Sequence, residues 1–193
     1  MEELLFSKKI VACIRKLKDL PEALAHKNID AIIALNGDIN YLPSLIKRSR
    51  EAGKLLLVHI DLFEGVGKDR PGLHFLTRLG LRGIVTTKSH LIKIGKEEGL
   101  LTVQRIFVVD SESLKTAIKV ARQVQPHAIE VLPSSVPGYV ISELQESLAI
   151  PILAGGLVKT EEDVHEALDK GISAISTSLR DLWNLNLLGN CKD

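Results

Sequence analysis

Eight short apolar runs alternate with amphipathic stretches along the whole 193-residue chain. Each run is five to nine residues long and rich in isoleucine, valine and leucine, which is typical of strands buried on both faces of a parallel sheet. The runs lie at 10–14, 31–35, 55–60, 83–87, 101–109, 128–132, 150–156 and 174–178. Alternation of strands and helices predicts parallel pairing through right-handed crossovers. Eight such units predict an α/β fold with a single compact (β/α)8 barrel of the TIM type.

A weak internal repeat supports closure of this barrel. A small residue stands directly before isoleucine at the start of every second run, at Ala31, Gly83, Ala128 and Ala174. These positions are 52, 45 and 46 residues apart, so one repeat spans two strand–helix units. The alternative is that a small residue followed by isoleucine is simply common at the start of strands. An open doubly wound sheet would instead require a glycine-rich turn after the first strand, where residues 15–18 read RKLK.

Composition places the chain among single-domain globular proteins. The apolar fraction of 45% and the charged fraction of 25% exclude a disordered, collagenous or disulfide-rich chain. We predict one domain over 1–186 and a flexible tail over 187–193. Cys13 and Cys191 lie far apart without a CxxC pattern, which indicates reduced thiols. Neither a secretory signal nor an apolar run of about 18 residues is found, so we expect a cytoplasmic protein without membrane contact.

Polar residues follow the last two predicted strands, at the end where barrels carry their functional groups. Gly155 and Gly156 end the seventh run, and Thr177 and Ser178 end the eighth. These two loops bind phosphate in many barrels, because glycine lets backbone N–H groups approach an anion and hydroxyls add donors. The alternative is that the glycine pair is only a tight turn and the hydroxyls only a helix cap. Their occurrence together at the expected loops predicts a phosphate site.

Ionisable residues mark the ends of the third and fourth strands. His59 and Asp61 are two residues apart and share one strand face, so they are candidates to bind ligand hydroxyls. A solvated loop and a divalent metal are the alternatives, but no second cluster with ligand spacing supports a metal. Lys88 is a candidate cation for a phosphate, a partner for Glu130, or a desolvated Schiff-base lysine.

Two charged residues lie within neighbouring predicted strands. Arg105 is in the fifth strand and Glu130 in the sixth, where an unpaired charge is costly. The sequence leaves two interpretations open. Either the two form a structural ion pair, or Arg105 points into a ligand pocket.

Basic residues cluster at Lys47, Arg48 and Arg50 on a predicted helix. Such a run is most often a solvated helix face, and the functional alternative is contact with RNA phosphates. A net charge of +1 excludes a generally basic surface but allows a local patch. Aromatic residues make up 4% of the chain, so we do not expect a stacking platform for single strands.

Six segments, taken in order, resemble the glycerol-3-phosphate-responsive antiterminators of the bacterial glycerol operon. They are 58–69, 83–88, 101–114, 125–137, 150–163 and 174–183, and the resemblance covers about residues 8–185. It implies a cytoplasmic (β/α)8 barrel that binds sn-glycerol 3-phosphate. With that ligand, members of the family act on the leader mRNA of a glycerol 3-phosphate dehydrogenase gene, preventing termination and stabilising the transcript.

The resemblance carries over to individual positions of this chain. It implies that Gly155, Gly156, Thr177 and Ser178 form the phosphate cradle. The positions around the pocket that match its motifs are Asp61, Lys88, Arg105 and Glu130; their separate roles are our inference. It locates no RNA surface.

The resemblance implies a ligand-sensing regulator with no cofactor besides its ligand. One rival is a barrel enzyme, an isomerase or lyase acting on a small phosphorylated metabolite, which requires an acid and a base converging on one substrate atom. No catalytic signature in the chain is complete. The other rival is a metabolite-binding protein with a protein partner, and an oligomer is compatible with each interpretation, since fold alone does not separate them.

Overall fold

Eight parallel strands close into a barrel in the computed structural model, which describes residues 2–187. The strands are β1 (Ile10–Ile14), β2 (Ala31–Ala34), β3 (Leu55–His59), β4 (Gly83–Thr86), β5 (Leu101–Phe107), β6 (Ala128–Leu132), β7 (Ile152–Gly155) and β8 (Ala174–Thr177). Each strand pairs with its neighbours in the chain, and β1 closes on β8 with Ile10 opposite Ile175. The predicted (β/α)8 barrel is therefore confirmed. The tail predicted for 187–193 lies outside the described residues, except for Leu187.

Helices cover the outside of the barrel. They are α1 (Glu2–Phe6), α2 (Leu20–Ala25), α3 (Leu42–Glu51), α4 (Arg70–Arg78), α5 (Ser89–Glu97), α6 (Ser111–Val124), α7 (Gly138–Ser147) and α8 (Glu161–Asp169). Short 3-10 turns lie at Leu17–Asp19, Ile60–Leu62 and Arg180–Asn184. None of the helices within residues 2–187 is both long and apolar enough to cross a membrane.

Side chains alternate between two apolar layers, as the period of a strand requires. The inner layer fills the barrel with residues such as Val11, Ile33, Leu57, Val103 and Leu153. Leu5 of α1 belongs to this inner cluster and is 1% exposed, so α1 closes the amino end of the barrel. The outer layer packs the strands against the helices. The carboxyl end is left for polar groups.

Two features outside the predicted units shape that carboxyl end. Two-residue strands at Gly37–Asp38 and Phe63–Glu64 pair with each other and join the loops after β2 and β3. The buried Trp183 indole donates its Nε1–H to the carbonyl oxygen of Thr177 at 3.0 Å. This bond ties the last 3-10 turn to the end of β8 and fixes where the Thr177–Ser178 segment lies.

Candidate functional site

A cavity of about 320 Å³ opens at the carboxyl end of the barrel, which is within the usual range for small-molecule sites. Its wall comes from β1, β5, β6 and β8, from Leu35 directly after β2, and from the loops at 156–159 and 178–179. The loops after β7 and β8 thus meet at one place, because their strands are neighbours in the sheet. This is where the sequence predicts the phosphate site.

A hydrogen-bonded triad of polar side chains lies at the inner end of the cavity. Glu130 is fully buried, and its two carboxylate oxygens accept from the Ser176 hydroxyl at 2.5 Å and from Arg105 Nε at 2.7 Å. Register places Arg105 directly opposite Glu130 on the neighbouring strand. Both sequence interpretations therefore hold at once: Arg105 forms an ion pair and also lines the cavity. Its two Nη groups have no partner within residues 2–187 and are available to a ligand.

Gly155 makes room for this triad. A Cβ built at Gly155 would lie 2.2 Å from Ser176 Oγ, closer than any side chain tolerates. Gly155 does not line the cavity, so the structure places it behind the predicted phosphate cradle. Its role here is to let Ser176 reach Glu130.

The loop after β7 presents unpartnered backbone donors. Gly156 and Leu157 have φ values of +73° and +61°, and the Gly156 carbonyl accepts from the Ser134 N–H at 3.2 Å and hydroxyl at 2.9 Å. Outside the strand ladders, no group among the described residues accepts from the N–H of Leu157 or Ser178. Successive N–H groups in such turns form concave anion sites. A Cβ at Gly156 would make an ordinary 3.4 Å contact with Leu132, so glycine is required here by φ rather than by space.

A capping box fixes the far side of this loop. Thr160 caps α8 by accepting from the Asp163 N–H at 3.2 Å, and the Asp163 carboxylate accepts from the N–H groups of Lys159 and Thr160 at 2.8 and 2.9 Å. These two backbone bonds hold the pKa of Asp163 below its usual value. The start of α8 is therefore anchored, and the Lys159 side chain is left exposed on the cavity wall.

The cavity carries an excess of positive charge. Arg15, Arg105 and Lys159 line it, and Glu130 is the one acidic side chain among the described residues on its wall. Because Glu130 is paired with Arg105, the charges left for a ligand are cationic. The sequence places Arg15 at the functional end of the first strand but did not assign it to the pocket, and sequence reasoning missed Lys159 altogether. Their signals are that Arg15 directly follows β1 and that Lys159 directly precedes the cap of α8.

Thr177 and Ser178 line the cavity as expected from the sequence, and the Thr177 hydroxyl accepts from the Leu179 N–H at 3.1 Å. His59 does not line it. His59 is 4% exposed at the inner face of β3, and its Nδ1 has no partner within the described part of the chain. Burial lowers the pKa of His59, and the nearby Arg105 cation lowers it further. The imidazole is therefore neutral at physiological pH.

Asp61 lies beside the mouth, off the cavity wall, and binds the end of β4. Its carboxylate accepts from the Thr86 hydroxyl at 2.6 Å and from the N–H and hydroxyl of Thr87, each at 2.8 Å. Partial burial opposes ionisation, but these hydrogen bonds outweigh it and hold the pKa of Asp61 below its usual value. The structure thus gives Asp61 partners other than ligand hydroxyls.

Replacing Asp61 by asparagine is expected to destabilise the fold by about 1 kcal/mol at neutral pH, since a half-buried carboxylate loses charge-assisted bonds. A lowered folded-state pKa gives stability that is present above the unfolded pKa, near 3.8, and is lost as pH falls through the folded pKa. Urea unfolding from pH 7 to pH 3 should therefore show the difference between wild type and Asp61→Asn shrinking. The exposed Glu64→Gln change on the same loop is the control. A difference that stays constant with pH would contradict the assignment.

Lys88 is exposed and lies off the cavity wall. The desolvation that a Schiff-base lysine needs is therefore not provided at this position. The partners of Glu130 are Arg105 and Ser176 rather than Lys88. On the cavity wall itself, burial and then the Glu130 charge raise the pKa of the Cys13 thiol to about 12, so this thiol stays protonated and is a poor nucleophile.

The basic patch predicted from the sequence lies on the side of the barrel. Lys47, Arg48 and Arg50 are exposed on α3, with Lys47 Nζ 3.9 Å from Glu51. They occupy the half of α3 that leads to the amino end of β3, away from the cavity. Within residues 2–187, no three histidine, cysteine or acidic side chains are grouped as a metal site requires.

The fold and the cavity define the class of this protein: a (β/α)8 barrel with a small, cationic cavity at the carboxyl ends of its strands. The chain belongs to the family of glycerol-3-phosphate responsive antiterminators, whose family model matches residues 10–183. The family is one of regulators, which confirms the resemblance seen in the sequence.

Individual relatives match over nearly the whole chain. The uncharacterized protein YgcP of Escherichia coli strain K12 is 32% identical over 183 residues, which are 94% of this chain and 95% of YgcP. A glycerol uptake operon antiterminator regulatory protein from Listeria monocytogenes superposes with a TM-score of 0.85 at 31% identity, over 91% of this chain and 94% of that structure. A glycerol uptake operon antiterminator-related protein from Thermotoga maritima gives a TM-score of 0.82 at 30% identity, over 91% and 98%.

Proposed function

We propose that this chain binds sn-glycerol 3-phosphate in the carboxyl-end cavity and, with that ligand, acts as a transcription antiterminator. Its target in this proposal is the leader mRNA of a glycerol 3-phosphate dehydrogenase operon, which places the protein in the cytoplasm. The observation that carries the proposal is the pair of unpartnered N–H donors at Leu157 and Ser178, beside the Arg15 and Lys159 cations. The family to which the chain belongs supports the regulatory role.

The charge pattern favours one orientation of the ligand. A phosphate dianion gains charge-assisted hydrogen bonds from the backbone donors and the mouth cations. The glycerol hydroxyls then reach the triad at the inner end. There, Arg105 Nη groups donate to hydroxyl oxygens, and the Glu130 carboxylate, which has used one acceptor position on each oxygen, accepts from hydroxyl protons. In this proposal Gly155 acts behind the cradle, and Asp61 supports the mouth through its bonds to Thr86 and Thr87.

The geometry favours binding over turnover. An enzyme acting on this ligand needs an acid or base free to exchange a proton with one substrate atom. In this cavity Glu130 is held by Arg105 and Ser176, and the Cys13 thiol is protonated. The enzyme alternative predicts consumption of glycerol 3-phosphate or a related three-carbon phosphate during prolonged incubation with the chain. The regulator proposal predicts binding without turnover.

The experiment that tests the proposal is a titration of the chain with the leader RNA of the glycerol 3-phosphate dehydrogenase operon from the same organism. It is carried out with and without glycerol 3-phosphate. We expect the ligand to tighten RNA binding, and expect affinity to fall steeply with salt because phosphate contacts dominate. The triple variant Lys47→Ala, Arg48→Ala, Arg50→Ala should weaken binding and flatten the salt slope by about 0.7 per lost contact. Absence of RNA binding in both conditions would overturn the proposed function.

A further inference from the structure

A small groove lies between the last turns of α3 and α4, at the amino end of the barrel and opposite the cavity. Its walls are the end of α3, the start of β3, and the segments 53–54 and 80–82 that follow the two helices. The groove encloses about 90 Å³, well below the usual range for metabolite sites. It therefore has room for one small group rather than for a whole metabolite.

The two segments that form this groove are strongly basic. Residues 42–54 and 70–82 contain seven lysine and arginine residues and one acidic residue. Three of the cations are held in ion pairs, which are Lys47–Glu51, Lys54–Asp30 and Arg70–Glu97. The other four have no ionic or hydrogen-bonding partner within residues 2–187, and these are Arg48, Arg50, Arg78 and Arg82. The unpaired charge on this face is therefore entirely positive.

Two of the unpaired arginines, Arg50 and Arg82, line the groove itself. The Arg50 side chain reaches from α3 to the segment after α4, since a Cβ built at Gly80 would collide with Nη2 of Arg50. Gly80 has a φ of +90° and leaves the space that this guanidinium occupies. Arg82 follows two residues later. The fold thus brings two free guanidinium groups to one place.

Helix geometry separates Arg50 from Arg48. Ser49 lies between them and faces the core, and successive side chains are about 100° apart around a helix. Arg48 and Arg50 therefore lie on opposite sides of α3. Arg50 lines the groove and Arg48 does not. Arg48 provides the same charge on the same turn without access to the groove.

A buried hydroxyl lines the groove without a partner. Ser49 is 1% exposed, and its Oγ forms no hydrogen bond within the described part of the chain. The other buried residues of α3 are all apolar, namely Leu42, Leu45 and Ile46. A buried hydroxyl without a partner is costly, so an acceptor oxygen placed beside Ser49 would be bound favourably.

We infer that this groove binds one phosphate group of the leader RNA. Arg50 and Arg82 donate to its oxygens, and the Ser49 hydroxyl is a third donor. Guanidinium groups match phosphate oxygens with two parallel hydrogen bonds. The adjoining phosphates of the strand meet no free carboxylate on these two segments, because Glu51 is paired with Lys47. The inference rests on the proposed function, from which it takes the RNA, and it names the residues that contact it.

The test is the double variant Arg50→Ala, Arg82→Ala, titrated with leader RNA over a range of salt concentrations. Loss of one phosphate contact should lower RNA affinity about fivefold at 0.1 M salt and flatten the salt slope by about 0.7. The factor should be the same with and without glycerol 3-phosphate, because the groove is at the other end of the barrel from the cavity. Ser49→Ala should lower affinity about threefold and keep the salt slope, since it removes a neutral donor.

The control is the double variant Arg48→Ala, Arg78→Ala, which removes the same charge outside the groove. It should change RNA affinity less than twofold, because salt screens charges that do not touch a phosphate. All three variants should bind glycerol 3-phosphate within twofold of wild type, which shows that the barrel is folded.

The outcomes separate this inference from the proposed function. If wild type binds no leader RNA, the proposed function fails. If wild type binds RNA and Arg50→Ala, Arg82→Ala keeps both its affinity and its salt slope, the groove is not an RNA contact and the proposed function stands; an acidic protein partner is then the occupant to test. An equal loss in the control variant also overturns the groove, since the basic face then acts as diffuse charge.

Discussion

Arg105→Ala is expected to destabilise the fold by about 3–5 kcal/mol and to abolish glycerol 3-phosphate binding. The Arg105 side chain is 10% exposed and its partner Glu130 is 1% exposed, so removal of the guanidinium leaves a buried carboxylate with only the Ser176 hydroxyl as partner. An uncompensated buried charge is among the few single-residue changes with so large a cost. Urea unfolding at pH 7 measures the loss of stability, and calorimetric titration measures the loss of binding.

A double variant separates charge burial from ligand binding. Arg105→Met combined with Glu130→Leu replaces both partners with apolar side chains of similar size, so most of the lost stability should return. Binding should not return, because the ligand hydroxyls lose both of their partners at the inner end. An Arg105→Ala protein as stable as wild type would contradict the burial of the pair.

Gly156→Val is expected to abolish the stabilisation that glycerol 3-phosphate gives the folded chain. For wild type, ligand at 100 times its dissociation constant should add about 2.7 kcal/mol to the unfolding free energy. A β-branched residue is strained at the φ of +73° found at Gly156. The loop relieves this strain by rotating the backbone, which moves the N–H group of Leu157 away from the phosphate. Thermal unfolding with and without ligand measures the effect.

Gly99 provides a matched control for this change. Its φ is +77°, nothing lies within 4 Å of a Cβ built there, and it precedes β5 at the amino end of the barrel. Gly99→Val should therefore carry a similar backbone cost and keep the full response to ligand. Equal ligand stabilisation in both variants would show that the loop after β7 does not hold the phosphate.

The fold was predictable because one pattern is repeated along the chain. Each of the eight apolar runs contains a barrel strand, since strands buried on both faces need continuous apolar residues. The boundaries were less well predicted: the run at 101–109 ends as a strand at Phe107, and that at 150–156 spans only Ile152–Gly155. Neither the closing helix α1 nor the paired two-residue strands gave a periodic signal in the sequence. Such segments are too short to show the period of a helix or a strand.

The candidate site was predictable only in part. Strand ends are visible in the sequence, so Gly156, Thr177 and Ser178 could be named from it. Arg105 and Glu130 could be named because they are charged residues within apolar strands. Which of the eight strand ends share one cavity depends on side-chain volumes and on the loops. Thus His59, Asp61 and Lys88 end neighbouring strands but lie off the cavity wall, while Arg15 and Lys159 line it. Tertiary hydrogen bonds determine which of these side chains reach the cavity wall. Those of Asp61 with Thr86 and Thr87 are an example.

The most direct test of the central claim is calorimetric titration of the wild-type chain with sn-glycerol 3-phosphate, inorganic phosphate and glycerol. The cavity geometry predicts that glycerol 3-phosphate binds at one site per chain. Inorganic phosphate should bind the same site more weakly and compete for it, because it uses only the donors at the mouth. Glycerol should show no measurable binding, because it lacks the charge that Arg15 and Lys159 attract. Glycerol binding as tightly as its phosphate, or no binding of glycerol 3-phosphate, would contradict the assignment of this cavity.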